Sequence, residues 1–139
     1  MIEVTEKTIS PEQVINLVRE DSCGCVVTYV GLIRNNNQGK PVMFVEYQNP
    51  KGDAVTLLKE IATEAKNNWP IEQVAISHRV GRLKVGEINL VVAVGAAHRR
   101  EGFAACQYII DKFKESLPTR KTEIYRDKGT AEADLGNNK

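Results

Sequence analysis

Aromatic side chains are scarce in this chain: one Trp, four Tyr and three Phe among 139 residues. So few rings leave little material for an exposed platform on which nucleic-acid bases could stack. Histidine is scarcer still, with two residues, and cysteine is present as an odd number, three. Cys23 and Cys25 are spaced C-x-C, not the C-x-x-C of zinc knuckles and redox pairs, so neither a metal site nor a disulfide framework is expected. Cys106 falls among apolar residues and reads as core. The formal net charge of +1 supplies no overall field for a polyanion or a membrane surface, so any anion site must come from local clustering. No apolar run approaches the roughly 18 residues of a membrane span. The opening "MIEVTEKTIS" alternates apolar and polar residues and does not read as a signal peptide. These absences lead us to expect a cytoplasmic protein with neither a membrane nor a nucleic-acid partner.

What is present reads as one domain over residues 1–139, with 130–139 as a flexible tail. "IEVTEKTI" is a short edge strand. In "SPEQVINLVRE", Ser10 is a helix N-cap and Pro11 takes the first helical position. Cys25–Ile33 is β-branched and almost continuously apolar, which predicts a central strand. "RNNNQGKP" reads as a mobile polar loop, and "VMFVEYQ" as the next strand. Ala54, Leu57, Leu58, Ile61 and Ala65 recur at helical spacing. Strands "VAISHRVG" and "INLVVAVGAA" follow, then a helix from about Glu101 to Leu117 and a last strand, "TEIYR". Strand pairs and helices interleave, which predicts an α+β fold: a mostly antiparallel mixed sheet with two or three packed helices.

The run "VGAAHRREG" hands three basic residues from a strand to a helix start. A helix N-terminus offers unpaired N–H groups and a positive dipole end, which suit a phosphate. His98 is a candidate for proton transfer or anion contact, and Arg99 for a bidentate phosphate contact. Arg100, one residue on, should point elsewhere. With Phe103 taken as the centre of the apolar face, Arg99 falls at about −40° and Lys114 at about +20°. Lys114 then either snorkels past the core to water or is held over a pocket. Arg34 directly follows the most apolar strand. Lys121, in "PTRKTE", can be a phosphate contact, an amine nucleophile or a solvated loop residue.

Several stretches in order resemble the molybdopterin synthase large-subunit (MoaE) family. They are "CVVTYVGLIRNNNQGK", "VEYQ", the His78–Glu87 stretch of the form HR-x-G-x-L-x-x-GE, "VAVGAAHRREGFAACQYIIDKFKESLP" and the K-T-E around Lys121. The resemblance implies a hammerhead-like α/β fold and a sulfurtransferase. It would pass sulfur from the C-terminal Gly-Gly thiocarboxylate of a small ubiquitin-like carrier to cyclic pyranopterin monophosphate, forming the dithiolene of molybdopterin. It implies a homodimer, a heterotetramer with the carrier, and no cofactor or metal. Carried over residue by residue, Arg34, His98, Arg99, Lys114 and Lys121 would bind the substrate, with Lys121 and Lys114 catalytic. Pro118-Thr119-Arg120-Lys121 departs from the family's Pro, apolar residue, Trp and Lys, and so sets a like charge beside Lys121. Two other readings follow: a weakly active subunit that keeps the dimer and carrier groove, or a basic-pocket nucleotide-binding module.

Overall fold

The structure, a computed structural model, describes residues 1–126 and 129–132; for the latter only the backbone is described. The elements in chain order are β1 (Ile2–Thr5), α1 (Pro11–Val18), β2 (Cys25–Leu32), β3 (Asn36–Asn37), β4 (Lys40–Gln48), α2 (Ala54–Asn68), β5 (Gln73–Arg79), β6 (Gly81–Lys84), β7 (Ile88–Ala96), α3 (Arg99–Ser116), β8 (Arg120–Tyr125) and β9 (Gly129–Glu132). β1, β5, β7 and β2 form a first sheet in that order, with β1 parallel to β5 and the other pairs antiparallel. In a second, antiparallel sheet, β4 lies between β6 and β8, with β3 folded onto its start and β9 beyond β8. This is the expected α+β architecture. The expected tail splits, because 129–132 form β9 while 133–139 lie outside the described residues.

The first sheet is covered on both faces, which explains why β7 reads as an unbroken apolar run. Val91 and Ala93 face α1 through Ile9, Val14 and Val18. Leu90, Val92 and Val94 face the other way, into a core shared with Leu58 and Ile61 of α2, Ile109 and Phe113 of α3, and Val45, Tyr47 and Leu83 of the second sheet. Each such side chain, fully buried, stabilises by roughly 1.5–3 kcal/mol. α1 begins as expected: the Ser10 hydroxyl accepts from Gln13 N–H at 3.3 Å, with Pro11 at the first position. No helix among the described residues is long and apolar enough to cross a membrane.

Two expectations fail. β2 is not central; it closes one edge of the first sheet, and Val30 and Leu32 are exposed there. Its apolar run reflects an uncovered edge as well as a core. The polar stretch after Arg34 is a tight hairpin in place of a loose loop. Gln38 and Gly39 both have positive φ, 53° and 82°, the pair of values a two-residue type I′ turn demands.

Candidate active site

The His78–Glu87 motif is a corner that fixes where β2 ends. β5 turns into β6 at Gly81 (φ 97°) and β6 into β7 at Gly86 (φ 88°). Within that turn the Glu87 carboxylate accepts from Lys84 N–H at 2.7 Å and from Arg79 Nη1 at 3.1 Å. Ile33 N–H donates to the Glu87 carbonyl at 3.0 Å, and Gly86 N–H donates back to Ile33 at 2.8 Å. Arg34, the next residue, is thereby set at the mouth of a recess between the two sheets.

The other cations reach the same recess from different elements. Lys114 leaves the last turns of α3, half-buried, and lines a cavity of about 280 Å³ with Tyr29, Gly31, Arg34 and Asn89. Lys121 lies on β8, which alternates regularly: Arg120 points out, and Lys121, Glu123 and Tyr125 point in. Lys121 lines a smaller, adjoining cavity of about 40 Å³ with Arg34, Asn37, Tyr47, Asn89 and Glu123. The Arg120 departure therefore leaves Lys121 on the inward row, 9% exposed. Its neighbour Thr119 is buried too, within 2.8 Å of His78 Nε2.

Burial first, and the crowding of positive charge after it, set the local electrostatics. Burial, and then the Arg34 guanidinium, hold the Lys114 ammonium below its ordinary pKa, against a weaker pull from Asp111. Burial also lowers Lys121; Glu123 opposes the shift, and Lys114 and Arg34 add to it. Glu123 is held in turn by Asn37 Nδ2 at 2.6 Å and by the Tyr125 hydroxyl at 3.4 Å. The recess can hold a multiply charged anion against three cations, one of which, Lys121, is an amine whose proton is easier to remove than usual.

His98 and Arg99 do not join this cluster. They sit exposed at the start of α3, and 15 residues of helix put Arg99 about 22 Å from Lys114 along the axis. There they line a separate groove with Gly24, Cys25, Arg100 and Phe103. Within one chain the five residues expected at the site therefore fall in two places, Arg34, Lys114 and Lys121 at the recess and His98 and Arg99 at the groove, and Arg100, expected to point away from Arg99, borders that groove too. Both arginines occupy the open first turn and border one groove. The face assignment was also displaced. Phe103 is 63% exposed, and the buried face runs through Gly102, Ala105, Cys106, Ile109 and Phe113. Lys114 lies about 120° round from the centre of that face, on the stripe of Phe103, and reaches the recess because Tyr29 and Arg34 stand across from the end of the helix. Cys106 is buried as expected, and burial pushes its thiol up to about 11. Cys23 and Cys25 are free and half-buried, with their thiols against the carbonyls of Val18 and Ala96.

His78, Tyr47 and Glu123 lie in stretches quoted for the resemblance but were assigned no role, and Asn89 was not singled out. Glu123 could have been found from the β8 alternation, two residues beyond Lys121. Asn89 could have been found as the lone polar residue inside "INLVVAV". Tyr47 and His78 were marked only by membership of the quoted motifs, which says nothing of what their side chains touch.

The MoaE protein family model matches residues 4–116. A molybdopterin synthase catalytic subunit from Nostoc sp. is 38% identical over 134 residues, spanning 96% of this chain and 81% of that protein. The crystal structure of molybdopterin synthase from Staphylococcus aureus superposes with a TM-score of 0.88 at 30% identity, covering 95% of this chain and 96% of that one. A chain from the complex of subunits 1 and 2 of molybdopterin-converting factor from Helicobacter pylori has the same fold, with a TM-score of 0.72 at 14% identity and coverage of 92% and 87%.

Proposed function

The chain belongs to the MoaE family, and from that premise we propose that it is the catalytic subunit of molybdopterin synthase. It transfers sulfur from the C-terminal thiocarboxylate of a small ubiquitin-like carrier to cyclic pyranopterin monophosphate, forming the dithiolene of molybdopterin. The observation that carries this reading is the convergence of Arg34, Lys114 and Lys121 on one recess from the β2–β3 connection, α3 and β8. Arg34 offers a planar fork to the phosphate, and Lys114 adds a point charge. Lys121, buried and with a lowered pKa, is the group suited to proton transfer or to acting as an amine at the reacting carbon. A small-subunit partner is supported by the complex whose chain shares this fold.

His98 and Arg99 can serve the same substrate molecule only if a second copy of the chain brings them. A homodimer is therefore part of the reading. The expected result is dithiolene formation on mixing the chain with thiocarboxylated carrier and cyclic pyranopterin monophosphate, abolished in Lys121→Ala with the fold intact. A wild-type chain that binds the carrier yet produces no dithiolene would leave the weakly active reading in its place.

A further inference from the structure

The β2–β7 ladder holds one irregularity, and it falls at the recess. Pairing runs in step from Cys25 with Ala96 to Gly31 with Leu90; then Leu32 pairs with Ile88. Asn89 is left as the extra residue of a β-bulge, a feature that re-aims a side chain and recurs beside active sites. Its side chain turns inward, leaving the residue 8% exposed. Nδ2 donates to the Tyr47 hydroxyl at 2.8 Å.

The backbone of Asn89 is fixed from the other side. His78 Nδ1 lies 2.8 Å from the Asn89 carbonyl, which can only accept, so Nδ1 carries the proton. His78 Nε2 then accepts from the Thr119 hydroxyl at 2.8 Å. With backbone and Nδ2 both engaged, Oδ1 remains. It is buried and has no hydrogen-bond partner among the described residues. It lies over Gly31, where a Cβ would stand 2.6 Å from it. Asn89 walls both cavities, and so does Arg34. A buried acceptor left empty costs free energy, and native proteins rarely keep one without a use.

We propose that Asn89 is a specificity-determining residue whose Oδ1 accepts a hydrogen bond from a ring N–H of the bound pyranopterin, a role that rests on the reading of this recess as the substrate site. The phosphate belongs with the three cations, because a carboxamide oxygen repels an anion. What Oδ1 selects is a donor, and the fused pterin ring presents donors on its amide and amine nitrogens. Asn89 thus separates the ring end of the ligand from the phosphate end.

Calorimetric titration of wild type and Asn89→Leu, each with cyclic pyranopterin monophosphate and with inorganic phosphate, tests this. Asn89→Leu should weaken pyranopterin binding by about tenfold or more and leave phosphate binding within about twofold. Pyranopterin binding unchanged in the variant overturns the proposal. Equal losses for both ligands also overturn it, because they would make Asn89 a structural prop only. A wild type that binds phosphate but not pyranopterin overturns the substrate reading itself, and this role with it. Should Asn89→Leu fail to fold, the wild type decides. The ¹⁵N resonance of the Asn89 carboxamide should shift on saturation with pyranopterin and stay in place with phosphate; no shift with either refutes the assignment.

Discussion

At the scale of single residues, the two histidines have opposite fates, and their sequence settings, an apolar strand for His78 and a basic helix start for His98, already differ. His98, flanked by arginines, is exposed at a helix start. His78, flanked by Ser and Arg, is fully buried with both ring nitrogens engaged. Burial lowers His78 from 6.5 to about 4, against the opposing bond to the Asn89 carbonyl. Between those values the unfolded chain binds the proton and the folded chain does not, so stability is complete above pH 6.5 and falls as pH drops toward 4. That window is worth about 3 kcal/mol. Urea unfolding of His78→Gln should show lower stability at pH 7 and a flatter profile across the window; an unchanged slope would show that carboxylates alone set it. The lysines give a second titration. Lys114 and Lys121 are both held below 10.5, so raising the pH strips charge from the recess before an ordinary lysine would titrate. Inorganic phosphate should bind more weakly from below pH 10.5 upward. A bound anion raises both values, so binding in that range should take up protons. Calorimetry in two buffers of different ionisation enthalpy should show that uptake, reduced in Lys114→Gln.

At the scale of elements, alternation and capping were legible because each depends on neighbours in sequence. Ser10–Pro11 and the apolar β7 follow from local pattern, whereas the inward Lys121 did not, because the last strand was expected to start at Thr122 and the structure starts β8 at Arg120. The edge position of β2, the bulge at Asn89 and the true face of α3 were not legible, because each depends on which element lies across the gap. Glycine shows the same division. Gly95 reads as one small residue in a strand, yet the end of α1 rests directly on it. A Cβ there would stand 2.4 Å from the Val18 carbonyl oxygen and 3.0 Å from Cys23 Sγ. Backbone cannot yield as a flexible side chain does, so Gly95→Ala should push α1 off the sheet and cost about 1–3 kcal/mol. Thermal melting of the variant measures it. A change within about 0.5 kcal/mol would mean that α1 slides freely.

At the scale of the whole molecule, the two basic clusters lie at opposite ends of α3, and the proposed dimer makes a decisive mixing experiment possible. Arg99→Ala and Lys121→Ala should each be inactive alone. If two chains share each site, random exchange of the two variants gives mixed dimers with one site carrying both lesions and one carrying neither. About a quarter of all sites should then recover. No recovery after verified exchange would confine the chemistry to one chain. The family and architecture were legible from ordered motifs, and so was the spacing of about 22 Å between the clusters, since it is 15 residues of the expected helix; what the angular reading of one face left out was the rise along the axis. A last consequence concerns tolerance. Arg34 follows directly from the end of first-sheet β2, where Ile33 is tied to Glu87 and Gly86, and Lys121 lies on the second sheet, so the gap between them is a machining dimension set by how the sheets seat. His78 is the dowel, on a first-sheet strand, reaching Asn89 of that sheet and Thr119 at the foot of β8. Misalignment of about 1 Å at reacting groups costs on the order of a hundredfold in rate. Play at that dowel should therefore appear as lost turnover at temperatures where the chain is still folded, with inactivation of His78→Gln running ahead of its melting curve.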